Sequence, residues 1–450
     1  MIEKEVEDKS PGRVVEEFLA AAPRDLDQAE ALVEEALLAG AEQAEIYLKT
    51  SRTAGIFLQR GFATLTGGSE RGVALRVFDG KGRWGHAHAS CGDPERGKRL
   101  VREAMEALRA APAPPALDVP PPAPRLREPL APIEGVLDAR VLRSEPAERR
   151  ATIERALRDV APPRDGALGV SLREGITRVA MVNSEGLSAS FQRTTALLTL
   201  ARDGTDGPTL VSERAACGLG CEEIAEAAAE LLDLQEVQGL EEAPPGSMLL
   251  RSSACPVMVR SLERAVAGAG EAGPAARVAS EAVTLTDDPL WAGGILSSPF
   301  DGAGYPSRRR VLLSAGMPAS RLPDEAAAGP AGRLARPSYR DLPAPGESNL
   351  IVQPGRRSWQ DLLLGMEKGV LLAALNQDER ENSPEREARW TGIGWEVRQG
   401  RRAGPCRRFA FRASARELLG SVREASRSIR FTLHRSAALG CCDLLIEREA

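Results

Sequence analysis

Apolar residues in DLDQAEALVEEALLAGAEQ recur at helical spacing. Leu26, Ala29, Leu32, Val33, Ala36 and Leu37 fall on one stripe, and Gly40 supplies a stop signal. A helix is predicted from about Asp27 to Ala39. The period then changes. AEIYLKT, AGIFLQR, GFATLTG, GVALRVF and GRWGHAHAS are short alternating segments set apart by Gly, Ser, Arg or Asp, which predicts an antiparallel meander of short strands. Helical spacing returns in PERGKRLVREAMEALRAA, with Leu100, Val101, Ala104, Met105 and Leu108 apolar. The first unit is expected to be layered as helix, sheet, helix.

From Pro112 to Pro132 the chain reads PAPPALDVPPPAPRLREPLAP, an extended connector, because proline lacks the N–H that a helix or central strand needs. A helix is predicted from about Pro146 to Val160. Paired strands follow, with Asn183, Ser184, Glu185 and Gly186 as their hairpin turn, and CEEIAEAAAELLDLQEV forms a helix closed by Gly239. Beyond Pro244, strand-like SMLLRS leads into a helix, CPVMVRSLERAVAGAG. Strand patterns then dominate: AVTLTDD, RRRVLLSAG, SNLIVQPG, GVLLAAL, WEVRQGR, IRFTLHR and CDLLIE, interrupted by helices at about Ser358 to Glu367 and Ala415 to Glu424. The expected class is α+β, with an N-terminal unit (1–111), a connector (112–136), a middle α+β unit (137–243) and a β-rich C-terminal domain (244–450).

Composition narrows the function. A chain of 450 residues is too long for one ordinary core, which agrees with two or three domains. Its 59 basic and 64 acidic residues are mixed along the chain with a net charge of −5, so no basic footprint points to nucleic acid. No apolar run approaches the roughly 20 residues a membrane helix needs, and the start is charged where a signal peptide would be apolar. A cytoplasmic protein is expected. Seven scattered cysteines fit reduced thiols better than a disulfide framework.

Few constellations carry chemistry. The three histidines are His86, His88 and His434, and none is followed by Glu and a second His one helical turn later, the spacing that sets two zinc ligands beside a general base. His86 and His88 lie two apart on a predicted strand and share a face, with Cys91 as a third donor for a metal; the plainer reading is a pair of half-exposed strand histidines. Cys217 and Cys221 flank a helix start, where the dipole lowers a thiolate pKa, but buried packing cysteines are the simpler reading, as they are for Cys441 and Cys442. No Gly-x-Ser-x-Gly elbow and no phosphate-binding Gly-x-x-x-x-Gly-Lys loop occurs. The run GAGEAGPAARVASE follows a helix instead of opening one, and reads as a connector.

The most specific stretch is TLTDDPLWAGGILSSPFDGAGYPSRRRVLLSAG, residues 284–316. It resembles the signature region of the TldD/PmbA (TldE) family through Asp287, Asp288, Pro289, Pro299, Phe300, Asp301, Gly302, Gly304, Pro306, Arg308 and Arg309. The likeness continues through RPSYRDLPAPGESNLIVQPG and LLLGMEKGVLL, and at the other end through GAEQAEIYLKT and SERGVALRVFDGKGRWGHAHAS. The departures are Ala303, where the family has an acidic residue, an Ala-rich 251–280 region and the charged run QDERENSPEREARW.

The resemblance implies a fold and a partnership. In this family the TldD-type subunit binds zinc through a His-Glu motif with a second His further along a helix, and the PmbA-type subunit has the same fold without it; together they form a heterodimeric peptidase. The matching segment here, LLRSSACPVMVRSLERAVAGAG (249–270), contains no histidine, which resembles the PmbA side. Glu263 stays in that helix and reads as an isolated surface glutamate. The expected role is a non-catalytic subunit with no cofactor of its own, zinc being carried by a TldD-like partner, acting on peptides that include natural-product precursors. The alternatives are a stand-alone homodimeric peptide-binding protein and an enzyme using a metal on His86, His88 and Cys91.

Overall fold

The structure is a computed structural model that describes residues 22–448 apart from 60, 91–94, 113–121, 124–129, 144, 159, 161–167, 203–209, 235–239, 245, 273–276, 320–333, 378–384 and 435–436. Cys91, Gly239 and most of the proline-rich connector lie outside the described residues. The first helix, α1 (Ala22–Leu38), starts before the predicted Asp27 and buries Ala29, Leu32, Val33 and Ala36 as its stripe requires.

Three strands follow: β1 (Gln43–Gln59), β2 (Phe62–Phe78) and β3 (Trp84–Ser90). The meander is present, but the predicted short segments are fused into longer strands. Seventeen residue pairs join β1 to β2, and neither Gly55 nor the Gly67-Gly68 pair interrupts them. The reason is two-sided pairing. The inner strand β1 is hydrogen-bonded on its other side to β4 (Leu168–Asn183) from Glu45 to Leu58, so the glycines sit within a continuous ladder. β3 covers only Gly72–Phe78 of β2; among the described residues the Phe62–Arg71 edge has no strand beside it, and Phe62 and Leu65 are 81% and 56% exposed there.

The helix α2 (Glu95–Ala110) packs on this sheet through Leu100, Val101, Ala104, Met105 and Leu108, all buried. Two helices, α3 (Ala139–Arg143) and α4 (Pro146–Leu157), precede β4. β4 turns into β5 (Ser188–Arg202) at the predicted hairpin, where the Asn183 side chain accepts the Glu185 and Leu187 N–H groups and Gly186 takes φ 90°. β6 (Leu210–Ala216) and α5 (Cys221–Leu232) complete the middle of the chain.

The C-terminal half adds β7 (Glu241–Glu242), β8 (Gly246–Leu250), α6 (Pro256–Ala272), β9 (Leu285–Asp287), β10 (Arg310–Ser314), β11 (Met317–Pro318), β12 (Leu334–Ala335), β13 (Ala344–Pro345) and β14 (Asn349–Val352). Then come α7 (Trp359–Leu364), β15 (Lys368–Gln377), β16 (Glu387–Arg398), β17 (Arg401–Ser414), α8 (Ala415–Gly420), β18 (Val422–Ala425), β19 (Arg430–His434), β20 (Ala437–Cys441) and β21 (Leu444–Arg448). WEVRQGR, read as one strand, is a hairpin: Gln399 and Gly400 both take positive φ, 50° and 73°, and reverse the chain between β16 and β17. Asp233, beside the C-terminal end of α5, carries an ion pair to Arg402 just past this turn.

Two large sheets result, confirming a sheet-rich α+β class. One runs β18-β21-β8-β15-β16-β17-β7. The other has twelve strands, β11-β10-β9-β14-β20-β19-β6-β5-β4-β1-β2-β3, so strands from beyond residue 244 extend the N-terminal sheet. The joint is narrow: β19 meets β6 through the single pair Phe431↔Ala215. α6 packs its buried Met258, Val259, Leu262 and Val266 into the core shared with β14, β20 and β21. Among the described residues no helix is long and apolar enough to cross a membrane.

Candidate functional site

The signature stretch folds into a loop pinned by its own carboxylates. Asp287, at the end of β9, is fully buried; one of its oxygens accepts the Ser348 N–H at 2.8 Å and the Ser348 hydroxyl at 2.5 Å, and the other accepts from Arg310 at 2.7 Å. It thereby joins β9, β10 and the approach to β14. Asp288 accepts the Leu290 N–H, while the Asn349 side-chain amide donates to the Asp288 carbonyl. Pro289 is buried and its carbonyl accepts from Ser298.

The next turn is held by Asp301, which accepts the N–H groups of Ala303 and Tyr305 on one oxygen and that of Leu334 on the other. Gly304 takes φ 86°, in the left-handed region. At Gly302 the reason for glycine is space, since a Cβ would lie 2.8 Å from the Arg336 Cβ and 2.9 Å from the Ala335 carbonyl carbon. Phe300, buried, sets its ring edge-on to Phe191 at 5.1 Å and bridges to Pro306, and Arg308 is exposed beyond. These positions build the loop's shape. Their carboxylates are taken up by backbone donors, the Ser348 hydroxyl, Arg310 and, at 3.8 Å, Arg309.

Beneath the loop lies a cavity of about 230 Å³, floored by the face of the twelve-stranded sheet. Tyr47 and Lys49 of β1, Val179 of β4, and Phe191 and Arg193 of β5 contribute from that face, as the register Lys49↔Val179↔Phe191 requires. The loop adds Phe300 to Gly302, and the opposite wall adds Leu334 to Pro337 and Glu347. The Lys49 ammonium donates to the Pro337 carbonyl and is pushed down to about 8, first by burial and then by the Arg193 guanidinium. Arg336 is wholly buried over the Tyr47 ring, 4.3 Å from its centroid, and burial pushes it down to about 10.

α6 touches a wall residue of this cavity through Glu263, and here the sequence reading is corrected. Glu263 is neither isolated nor on the surface: its side chain is 17% exposed, paired with Arg260 and hydrogen-bonded to Glu347, a wall residue of the cavity. Burial, then the Glu347 carboxylate, raises it to about 7, against the pull of Arg260 and Arg264. Glu263 therefore exchanges its proton near neutrality. It does not suit Zn²⁺, because two guanidiniums stand beside the carboxylate and the segment offers no imidazole.

His86 and His88 do share a face, with ring centroids 5.6 Å apart, but that face is cationic. The row Glu45, Arg76, His86 runs straight across β1, β2 and β3. Burial, then Arg336, His88 and Arg76, drive His86 down to about 4, so the imidazole is neutral yet surrounded by positive charge that repels a metal cation. Among the described residues no group of three or more His, Cys, Asp or Glu side chains is placed to hold a metal. Cys217 is buried, its thiol raised to about 11 by burial, and it donates to the Gly293 carbonyl. This is a packing thiol, opposite in direction to a dipole-activated one. Cys441 and Cys442 are fully buried, with burial raising both.

Lys49, Arg193, Glu347 and the Glu263 contact were not singled out in the sequence. Each sits in an alternating strand or helix pattern that specifies only a face, and no motif announces them. A larger cavity, about 530 Å³, also has Leu433 in its lining. There Glu230 gathers Arg214, Arg251 and Arg430, which hold its carboxyl below the usual range against the opposing effect of burial.

The fold has known counterparts. The TldE structure from Thermococcus kodakarensis superimposes with a TM-score of 0.75 at 18% identity, covering 93% of this chain and 98% of that one. A proposed modulator of DNA gyrase from Thermotoga maritima gives 0.73 at 18% identity over 94% and 98%, and one from Bacteroides thetaiotaomicron gives 0.72 at 18% over 94% and 97%. No curated protein sequence matches the chain. Residues 44–108 match the family profile described as PmbA/TldA metallopeptidase domain 1, and residues 271–449 that of the PmbA/TldA metallopeptidase C-terminal domain. With two domains matched in order and the whole fold shared, the chain belongs to the TldD/PmbA family.

Proposed function

We propose that this chain is the TldE-like, non-zinc subunit of a two-subunit peptidase, cytoplasmic, which shapes the peptide channel while a TldD-like partner carries the zinc. The observation that carries this reading is the donor set of α6 beside the cavity wall: a hydrogen-bonded carboxyl pair, Glu263 and Glu347, flanked by Arg260, with no imidazole in the segment. Zinc hydrolysis needs ligands that bind the ion and lower the pKa of its water. Those ligands must come from elsewhere. Peptides fit such a channel by strand addition, which recognises backbone and not sequence.

Co-expression with a homologue that bears the His-Glu motif tests this. A stable complex with zinc-dependent peptidase activity that neither chain shows alone is expected; no complex and no added activity would overturn it. The open Phe62–Arg71 edge of β2, with Phe62 and Leu65 exposed, favours one second reading, a homodimer that binds peptides without cutting them. Light scattering on the chain purified alone, with and without the homologue, separates the two.

A further inference from the structure

The geometry points to a carboxylate-binding subsite in the cavity beneath the signature loop, where Lys49 and Arg193 receive the carboxylate of a peptide residue whose apolar side chain lies against Phe191, Phe300 and Leu433. This deepens the peptide reading above, and rests on it for the word peptide.

The case begins with charge. Lys49 and Arg193 are brought onto one sheet face by the β1-β4-β5 register and both line the cavity. They face each other closely enough for the guanidinium to disfavour the charged ammonium. The other charged groups acting on Lys49, Glu70 and Asp341, favour its charge more weakly. Only one of the three ammonium hydrogens has a described acceptor, the Pro337 carbonyl. Behind them, Arg336 shares its carboxylate partner, Glu45, with Arg76, so the wall itself is cationic.

The acidic residues of the cavity do not cancel this. Asp301 turns both oxygens to three backbone N–H groups, and Glu347 is turned to the Glu263 carboxyl, to which it is hydrogen-bonded. An incoming carboxylate would relieve the repulsion between Lys49 and Arg193 and gain charge-assisted hydrogen bonds.

Size and lining select the rest of the ligand. At about 230 Å³ the cavity is smaller than the roughly 300 Å³ at which pockets for drug-sized ligands begin, so it suits a single residue. Val179, Phe191, Leu296, Phe300 and Leu433 supply an apolar lining. The carboxylate can be a chain terminus or an acidic side chain, and the experiment distinguishes them.

The test uses the full chain alone, by calorimetric titration with three probes: N-acetyl-Ala-Leu with a free C-terminus, its C-terminal amide, and the C-terminal amide of N-acetyl-Ala-Glu, whose only carboxylate is the side chain. The free acid should bind at least about ten-fold more tightly than the amide, a difference of about 1.4 kcal/mol. Tight binding of the amidated Glu peptide instead assigns the site to acidic side chains. Lys49→Met and Arg193→Gln should each erase the preference and Lys49→Arg should keep it. In the unmodified protein the preference should fall as the pH passes about 8, where Lys49 loses its proton, a readout that needs no variant. Equal binding of all three probes, no binding of any at millimolar concentration, or a preference untouched by both charge-removing substitutions would overturn the subsite. Because no partner is present, failure here leaves the two-subunit reading standing, and failure to form a complex leaves the subsite standing.

Discussion

Glu45 and Arg76 face each other across β1 and β2 and form a two-pronged ion pair, at 2.9 and 2.5 Å, with neither side chain exposed. Arg336, from the wall of the cavity, reaches the same carboxylate at 3.4 Å. One carboxylate thus serves two buried guanidiniums, and it fastens the cavity wall to the sheet. Removing a partner from a buried pair leaves an uncompensated charge, so Glu45→Gln is expected to cost about 3–5 kcal/mol. Chemical denaturation checks this, with the exposed Arg99–Glu103 pair as control: Glu103→Gln should leave the midpoint unchanged.

Asp287→Ala should be destabilising by about 3 kcal/mol or more, since it orphans the Ser348 N–H and hydroxyl and the Arg310 guanidinium at one buried point. Hydrogen exchange should then accelerate at β9 and β14 first. Equal exchange in the variant and the parent would contradict the role given to this residue.

For Gly302 the outcome is steric. A methyl group there meets backbone atoms of Ala335 and Arg336 at under 3 Å, and backbone cannot turn aside as a side-chain tip can. Gly302→Ala should cost about 1–3 kcal/mol and should weaken capture of the free-acid peptide, because the displaced segment is the wall that carries Arg336 and Pro337. Unchanged melting and unchanged binding would refute this.

Glu263 sets a pH dependence whose sign is fixed by the direction of its shift. Its folded value, about 7, lies above the ordinary 4.5, so the native chain keeps a proton that the unfolded chain has already lost. That contribution is fully present below about 4.5 and disappears as the pH rises through 7. The melting temperature of Glu263→Gln, neutral at every pH, should therefore fall less between pH 5 and pH 8 than that of the parent; parallel curves would show that the pair does not titrate there.

Purified protein and the His86→Ala, His88→Ala double variant should carry the same metal content after incubation with Zn²⁺, because Arg76 and Arg336 act on the imidazole that would receive the ion. Elemental analysis decides it. Metal lost with the histidines would reinstate a site there.

Much of the architecture was legible as pattern. The stripes of α1 and α2, the Asn183–Gly186 turn and the helix over 256–272 follow from period and from turn chemistry, both local properties. Family membership was legible too, in the order of Asp287, Asp288, Asp301, Gly302 and Gly304. Strand length was not. Whether Gly55 ends a strand depends on β4, more than a hundred residues away, which pairs along the far side of β1.

The sequence by itself determined which faces are apolar, where the chain can turn, and that the 249–270 segment has no histidine to offer a metal. Only the tertiary structure decided what those faces meet. Glu263 read as an isolated residue until packing set Glu347 against it from 84 positions along the chain. Lys49 and Arg193 were unremarkable cations until the sheet register put them in one cavity. The physical reason is common to both: a charge is costly or useful only according to its burial and its neighbours, and these are set by contacts between residues far apart in the chain.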